Sequence, residues 1–179
     1  FNLTDKVAII TGGNGGIGFA MAKAIGESGA TVVIAGRNET KNKKSIEELN
    51  SLDIKCKSLI VDVVNENSCN KLIEDVVKEF GKLNILINNA GTNIRKRPEE
   101  YELDEWTSII DTNLISTFTC SKAAFKHFKN INGGKIINIG SMHSLFGAPL
   151  GSAYSASKGG VVQLTKSLAN TWAKDNIQV

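Results

Sequence analysis

The chain has 179 residues, of which 41% are hydrophobic and 22% charged, and its formal net charge is +3. This size and composition predict a single globular domain, residues 1–179, whose mild and evenly spread charge argues against a nucleic-acid partner. No apolar run is long enough to cross a membrane, and Cys56, Cys69 and Cys120 lack the spacing of metal ligands, so we expect a cytoplasmic protein with reduced thiols, no membrane association and no metal.

Short runs of β-branched and apolar residues alternate along the chain with stretches of helical periodicity. The predicted strands are Lys6–Ile10, Thr31–Ala35, part of Cys56–Val63, Asn84–Asn88, Lys135–Ile139 and Ile177–Val179. The predicted helices are Gly16–Ser28, Glu39–Asn50, Asn67–Phe80, a long helix from about Leu103 to Lys129, and Ala153–Lys174. Apolar strands that alternate with helices form parallel sheets covered on both faces. The pattern therefore predicts an α/β fold with a doubly wound, Rossmann-like parallel sheet in three αβα layers.

A glycine-rich loop, TGGNGGIG from Thr11 to Gly18, joins the first predicted strand to the first helix. Glycines let bare backbone approach a pyrophosphate, and the helix that follows offers N–H donors and a partial positive charge. The loop lacks the Gly-Lys-Ser/Thr ending of a P-loop, so a nucleoside triphosphatase is excluded. The position of the loop between a strand and a helix predicts a dinucleotide site; the alternative is a glycine-rich surface turn.

The end of the second strand bears on which dinucleotide binds. Sites for NAD usually place a carboxylate there to hold the ribose 2′-hydroxyl, whereas this chain has Arg37. A guanidinium suits a 2′-phosphate, so we favour NADP(H) over NAD(H). The alternative is that Arg37 points into solvent and the site accepts either cofactor. Asp62 follows the third strand. Its carboxylate is equally suited to accept a hydrogen bond from the adenine amine and to stabilise a turn or cap a helix.

Four motifs occur in order: TGxxxGIG, Asn88-Asn89-Ala90-Gly91, Ser141, and Tyr154 with Lys158 four residues later. In these motifs the sequence resembles the short-chain dehydrogenase/reductase family over its whole length. The resemblance implies a catalytic set of Asn113, Ser141, Tyr154 and Lys158. It implies cofactor contacts from Gly12, Gly16, Ile17, Gly18, Asp62, Val63, Asn89, Ala90 and Gly91, together with Tyr154 and Lys158. The segments NNAGTNIRKRPEEYELDEW and GSMHSLFGAP resemble the branch that oxidises gluconate, 2-deoxygluconate or related polyols.

Tyr154 and Lys158 lie one helical turn apart among small residues. An ordinary phenol is a poor acid–base group at neutral pH. An ammonium about 4 Å away, at an effective dielectric constant near 20, stabilises a phenolate by roughly 4 kcal/mol. The pair is therefore expected to exchange a proton with a substrate oxygen, which Ser141 would hold. The resemblance implies that a helix irregularity at Asn113 holds a water that connects Lys158 to solvent. As alternatives, Ser141 is a turn residue, Asn113 joins two helices, and Lys158 is a surface charge.

These residues predict an oxidoreductase that transfers a hydride between NADP(H) or NAD(H) and a secondary alcohol or ketone, namely a sugar acid or polyol. Arg95, or its neighbours Lys96 and Arg97, is placed to pair with a substrate carboxylate, and Met142 and His143 are candidates for the substrate pocket. His127 is expected on the surface. The alternatives are a 3-oxoacyl thioester reductase and a dinucleotide-binding fragment without turnover.

Two expectations concern the extent and the assembly of the protein. The sequence ends within the sixth predicted strand, whereas members of the family continue through a substrate lid to a further strand, so the resemblance implies a chain that is incomplete at its C-terminus. The last two long helices carry apolar side chains suited to packing: Phe118, Phe125, Leu164 and Leu168. Together with the resemblance, they suggest a homo-oligomer, a dimer or a tetramer.

Overall fold

The computed structural model describes residues 2–179, so Phe1, the first residue of the predicted domain, lies outside the described residues. Its six strands are β1 (Val7–Thr11), β2 (Thr31–Gly36), β3 (Cys56–Ile60), β4 (Ile85–Asn88), β5 (Gly134–Asn138) and β6 (Ile177–Gln178). They form one sheet in the order β3-β2-β1-β4-β5-β6, and every pair is parallel. The predicted doubly wound, Rossmann-like α/β fold is confirmed, and each predicted strand occurs within three residues of its expected ends.

The helices are α1 (Gly16–Glu27), α2 (Glu39–Asn50), α3 (Glu66–Phe80), α4 (Leu103–Ile110), α5 (Ser116–Asn130) and α6 (Ser152–Trp172). The predicted long helix from Leu103 to Lys129 is interrupted by a π-helical turn, Asp111–Ile115, which lies between α4 and α5 at the place where the resemblance implied an irregularity, Asn113. Such turns are rare and often mark functional sites. Hydroxyl groups at the start of α5 bond back across it, since Ser116 donates to the carbonyl of Thr112 and Thr117 to that of Asn113.

Two apolar cores cover the two faces of the sheet. One lies between the sheet and helices α3 and α5, around Leu72, Val76 and Phe128. The other lies between the sheet and helices α1 and α2, around Ala22 and Leu49. The central strands are buried on both sides because each core covers one face of the sheet. This burial explains their unbroken apolar sequences.

The sheet reverses its winding direction between β1 and β4, since β2 and β3 lie to one side of β1 and β5 and β6 lie beyond β4. In open α/β sheets, ligands bind at such a switch point, outside the carboxyl ends of the strands. The glycine loop after β1, Arg37 after β2, Asn89 after β4 and Ser141 after β5 all lie at this edge. The fold therefore gathers the predicted site residues at one end of the sheet.

The three cysteines are free, and two of them belong to the core between α3 and α5. Cys69 and Cys120 are fully buried, with their sulfur atoms 3.4 Å apart, and Cys56 is half-buried at the start of β3. Within residues 2–179, none of the helices has the length and apolarity needed to cross a membrane. The same residues contain no cluster of His, Cys, Asp or Glu side chains that could hold a metal ion.

Candidate active site

The glycine loop is held against the start of the β4–α4 connection. Gly12 has a left-handed backbone, with φ +63°, which glycine adopts without strain. At Gly18, an added Cβ atom would stand 2.3 Å from the carbonyl oxygen of Gly12 and 2.4 Å from Nδ2 of Asn89. A side chain at position 18 would therefore force the loop open, so glycine is required there by packing.

Side chains from two motifs fasten the loop. Asn89 donates from Nδ2 to the carbonyl oxygens of Thr11 (3.0 Å) and Gly12 (3.1 Å). The hydroxyl of Thr11 accepts hydrogen bonds from the backbone N–H groups of Asn89 (3.0 Å) and Ala90 (3.1 Å). Sequence reasoning did not single out Thr11, although it is the first residue of the glycine motif. The end of β1 and the end of β4 thus form one rigid cradle.

A cavity of about 470 Å³ opens above this cradle. Eight of the predicted cofactor residues line it: Gly12, Ile17, Gly18, Arg37, Val63, Asn89, Ala90 and Gly91. Gly16 stands beside the lining residues with a left-handed backbone, φ +53°. Asp62 is not among the lining residues, and its carboxylate accepts a hydrogen bond from the backbone N–H of Val64 at 3.3 Å. This contact fits the turn role that the sequence left open for Asp62.

A second cavity, of about 870 Å³, adjoins the first and shares Ile17, Asn89 and Gly91 with it. Five predicted catalytic or substrate residues line this second cavity: Arg95, Ser141, His143, Tyr154 and Lys158. Met142 is exposed and is not among the lining residues. The structure thus brings together a phenol, an ammonium, a hydroxyl and a guanidinium from three separate segments of the chain.

Lys158 is 5% exposed, and its ammonium group lies 5.8 Å from the centroid of the Tyr154 ring. The Nζ atom donates to the carbonyl oxygen of Ile139 at 2.7 Å, at the end of β5. Burial lowers the pKa of Lys158, because the charged form loses hydration. Lys158 is thus a buried cation beside Tyr154 and not a surface charge.

The Ser141 hydroxyl has a defined orientation. Its oxygen accepts a hydrogen bond from the backbone N–H of His143 at 3.1 Å, at the start of a short 3₁₀ turn. The hydroxyl proton is therefore left for another acceptor, such as a substrate oxygen in the cavity. The His143 ring packs edge-on against Tyr154, with centroids 5.4 Å apart, and its Nδ1 atom lies 3.5 Å from the Ser155 hydroxyl.

Asn113 is fully buried in the π-helical turn and does not line either cavity. Its side chain accepts a hydrogen bond from the N–H of Thr92 (2.7 Å) and donates to the carbonyl of Thr92 (2.9 Å) and to the Ser157 hydroxyl (3.0 Å). Ser157 in turn donates to the carbonyl of Tyr154 at 2.8 Å. Asn113 therefore joins the π turn to the Tyr154 turn of α6, as in the helix-joining alternative that the sequence left open.

Ser157 and Thr92 are functional neighbours that sequence reasoning missed. The only local signal was a serine between Tyr154 and Lys158, on a helix where small residues are common. His127, which was expected on the surface, is half-buried, and its Nε2 atom accepts a hydrogen bond from the backbone N–H of Leu83 at 3.0 Å. Burial lowers the pKa of His127.

These residues fit a bound nicotinamide dinucleotide. The cradle at Gly12 and Gly18 leaves bare backbone where a pyrophosphate can approach, and the two cavities connect through shared walls. A dinucleotide can therefore extend from the end of β2 to Tyr154. This fold and site define a dinucleotide-dependent oxidoreductase.

Comparison with known proteins identifies the family. The sequence pattern described as short chain dehydrogenase matches residues 6–179. A 3alpha-hydroxysteroid dehydrogenase from Mediterraneibacter gnavus is 40% identical over 99% of this chain and 72% of its own length. A 2-dehydro-3-deoxy-D-gluconate 5-dehydrogenase from Escherichia coli is 39% identical over the whole of this chain and 70% of its own length. The crystal structure of a short chain dehydrogenase from Mycobacterium smegmatis superposes with a TM-score of 0.96 at 28% identity, covering 99% of this chain and 75% of that one.

The chain belongs to the short chain dehydrogenase family, as its sequence motifs predicted. It is therefore an oxidoreductase of a family that uses NAD or NADP. The roles of the individual site residues stay predictions, and so do the preferred nucleotide and the substrate.

Proposed function

We propose that this protein is an NADP(H)-dependent enzyme that interconverts a secondary alcohol and a ketone on a sugar acid or related polyol. The observation that carries the proposal is the second cavity, where Ser141, Tyr154 and Lys158 converge beside Arg95. Its wall is continuous with the glycine cradle through Asn89 and Gly91. A proton-transfer group, a cofactor site and an anion-binding group are thus available to one substrate.

The chain's own residues supply binding, orientation and proton transfer. Ser141 donates its free hydroxyl proton to the substrate oxygen, and Tyr154 gives that oxygen a proton in reduction or takes one in oxidation. The buried ammonium of Lys158, 5.8 Å from the centroid of the Tyr154 ring, places a positive charge beside this proton-transfer group. The nicotinamide of a bound cofactor supplies or accepts the hydride. Asn113 and Ser157 keep the Tyr154 turn in position.

The preference for NADP(H) is supported by the charge at the adenosine end of the first cavity. Arg37 and Lys41 line it, and among residues 2–179 no Asp or Glu does. A carboxylate would repel a 2′-phosphate, whereas a guanidinium attracts it. Replacing Arg37 by Ala is expected to weaken NADPH binding by about tenfold while sparing NADH. Equal losses for both cofactors would contradict the preference.

The sugar-acid assignment is supported by Arg95 and by the name of the Escherichia coli relative. Both neighbours of Arg95 are anchored: the Tyr101 hydroxyl donates to the carbonyl of Ile94, and Lys96 pairs with Glu105 at 2.6 Å. Arg95 itself is exposed on the cavity wall, where it can pair with a carboxylate. The backbone that carries the Arg95 guanidinium is thus anchored on both sides.

Replacing Arg95 by Ala is therefore expected to raise KM about tenfold for a keto sugar acid and to leave KM for a neutral keto sugar within about twofold. Arg97→Ala is the matched control, since Arg97 pairs with Glu99 and does not line the cavity. Equal effects of the two substitutions on the acidic substrate would contradict the assignment.

A second candidate substrate is a bulky apolar ketone, as the name of the Mediterraneibacter gnavus relative suggests. Apolar side chains are exposed near the second cavity, with Leu145 at 76% and Phe146 at 61%, and Leu150 lines it. We would measure NADPH oxidation with a keto sugar acid, a 3-ketosteroid and a 3-oxoacyl thioester. The largest kcat/KM on the sugar acid supports the proposal, and a larger value on either other substrate overturns it. Binding of NADPH without turnover on all three would indicate a dinucleotide-binding protein.

We also propose a cytoplasmic homo-oligomer, a dimer or a tetramer. The three free cysteines fit a reducing compartment. Phe118, on α5, is 43% exposed and is available for contact between subunits. Sedimentation of the purified protein at several concentrations tests the assembly, and a monomer throughout would contradict it.

A further inference from the structure

Two cations flank the adenosine end of the first cavity. Arg37 directly follows β2, and Lys41 lies in the first turn of α2; both are exposed and line the same cavity. Neither forms an ion pair within 4 Å among residues 2–179, whereas Lys43 on the same helix pairs with Glu39 at 2.9 Å. Two positive charges that line one cavity both attract an anionic group that binds there. Their joint presence therefore suits an anionic ligand group.

The backbone around Lys41 is fixed on both sides. The Asn38 side chain caps α2 by accepting a hydrogen bond from the N–H of Lys41 at 2.9 Å. Asn42, which is 1% exposed, donates from Nδ2 to the carbonyl of Gly36 at 2.9 Å. Lys41 thus projects from a turn that is anchored to the end of β2.

The glycine loop is tied to the same turn. Asn14, within the loop, donates from Nδ2 to Oδ1 of Asn42 at 2.6 Å. An added Cβ atom on Gly36 would stand 2.7 Å from the Asn14 amide, so the three segments meet closely. A phosphate at this end of the cavity would lie against polar amides and two cations, with no carboxylate among the described lining residues.

We infer that Lys41 is a second specificity-determining cation, which acts with Arg37 to hold the 2′-phosphate of NADP(H). The inference rests on the proposed preference for NADP(H) and adds a residue that lies four positions beyond the arginine. Arg37 offers a planar fork of donors, while Lys41 contributes a second, compact charge that lines the same cavity. Two cations that attract the phosphate allow discrimination against NAD(H) without a repelling carboxylate.

The test measures binding, so it does not depend on the substrate. Dissociation constants for NADPH, NADH and adenosine 2′,5′-bisphosphate would be measured by fluorescence and calorimetry for Arg37→Ala, Lys41→Ala and the double variant. Lys41→Ala is expected to weaken NADPH and the bisphosphate about fivefold and to leave NADH within about twofold. The double variant should bind NADPH no better than NADH. Lys43→Ala is the control, because it removes an exposed charge from the same helix outside the cavity.

The possible failures can be told apart. If the unaltered protein binds NADPH no more tightly than NADH, the cofactor preference fails and the role of Lys41 fails with it. If NADPH is preferred and Arg37→Ala removes the preference, but Lys41→Ala behaves like Lys43→Ala, only the role of Lys41 is overturned. An equal loss of NADPH and NADH in Lys41→Ala also overturns it, since the lysine would then contact a group common to both cofactors.

Discussion

The first and the second cavity share a wall, but their other walls are stabilised in different ways. Around the first, short backbone contacts close the glycine loop: the Gly12 N–H donates to the carbonyl of Ala35 at 2.7 Å, and Asn89 donates to Gly12. Around the second, residues from several segments meet, and Leu145 and Phe146, in the β5–α6 connection, are largely exposed. The first cavity is closed by hydrogen bonds between the ends of β1, β2 and β4, whereas the connection beside the second is more open to solvent.

This difference has a consequence for how each cavity tolerates change. At Gly18 the backbone leaves no space for an added methyl group, so a substitution there should affect shape and stability together. Exposed side chains beside the second cavity can change with little effect on folding, so substrate range can vary while the cofactor site stays constant. Substitutions in the two cavities test this contrast, beginning with the largest expected effect.

The largest effect is expected in the substrate cavity, from Tyr154→Phe. Removing the hydroxyl takes away the proton-transfer group, which is worth about a hundredfold to ten-thousandfold in rate. The ring remains to pack against His143, so NADPH affinity should stay within about twofold of the unaltered protein. Steady-state kinetics and a binding titration check the two expectations. Turnover comparable with that of the unaltered protein would show that Tyr154 does not transfer the proton.

A methyl group at Gly18 should damage the first cavity. Because the added Cβ atom would lie 2.3 Å from the Gly12 carbonyl, Gly18→Ala is expected to weaken NADPH binding at least about tenfold and to lower the free energy of unfolding by about 1–3 kcal/mol. The control is Gly147→Ala, in the β5–α6 connection, where nothing lies within 4 Å of the added atom. Titration and denaturant unfolding measure both. Similar losses of NADPH binding and of stability in the two variants would contradict the expected difference between the cavities.

A smaller effect is expected from the network beneath Tyr154. Ser157→Ala leaves one N–H of the buried Asn113 amide without an acceptor, so the free energy of unfolding should fall by about 1–3 kcal/mol and kcat should fall as the Tyr154 turn loosens. Thr171→Ala removes a hydroxyl of similar local geometry from the exposed end of α6 and serves as the control. A loss no larger than that of the control would mean that the network contributes nothing to the turn.

The smallest effect concerns pH and lies outside both cavities. Burial lowers the pKa of His127, so below about pH 6.5 the unfolded chain binds a proton that the folded protein resists. Stability should therefore fall as pH decreases through this range, and the change should be small because the ring is only half-buried. His127→Gln should remove this part of the pH dependence. Denaturant unfolding at pH 7.5 and 5.5 tests it, and an identical pH dependence in both proteins would contradict it.

Much of the first cavity could be predicted from the sequence. The glycine spacing after a strand and the arginine that follows β2 are local sequence signals, whereas Asn89 reaches the glycine loop across 77 residues, a contact that only the fold shows. The hydrophobic periodicity from Leu103 to Lys129 is that of an ordinary helix, so the irregularity at Asn113 was predicted from the family resemblance alone, and only the structure shows that it is a π-helical turn. Its formation accompanies contacts between Asn113 and both Thr92 and Ser157, which are 21 and 44 residues away in sequence.

By itself, the sequence determined the layered α/β fold, the dinucleotide loop and the Tyr154–Lys158 pair, because each depends on the periodicity or spacing of neighbouring residues. Only the tertiary structure decided that Lys158 is buried against the carbonyl of Ile139, that Ser141 keeps a free proton, and that Lys41 shares a cavity with Arg37. The Lys158 contact joins residues that are 19 positions apart, whereas Ser141 and Lys41 are close in sequence to their partners, and all three environments are set when the strands and helices pack. Side-chain environment, unlike secondary structure, is a property of the assembled fold.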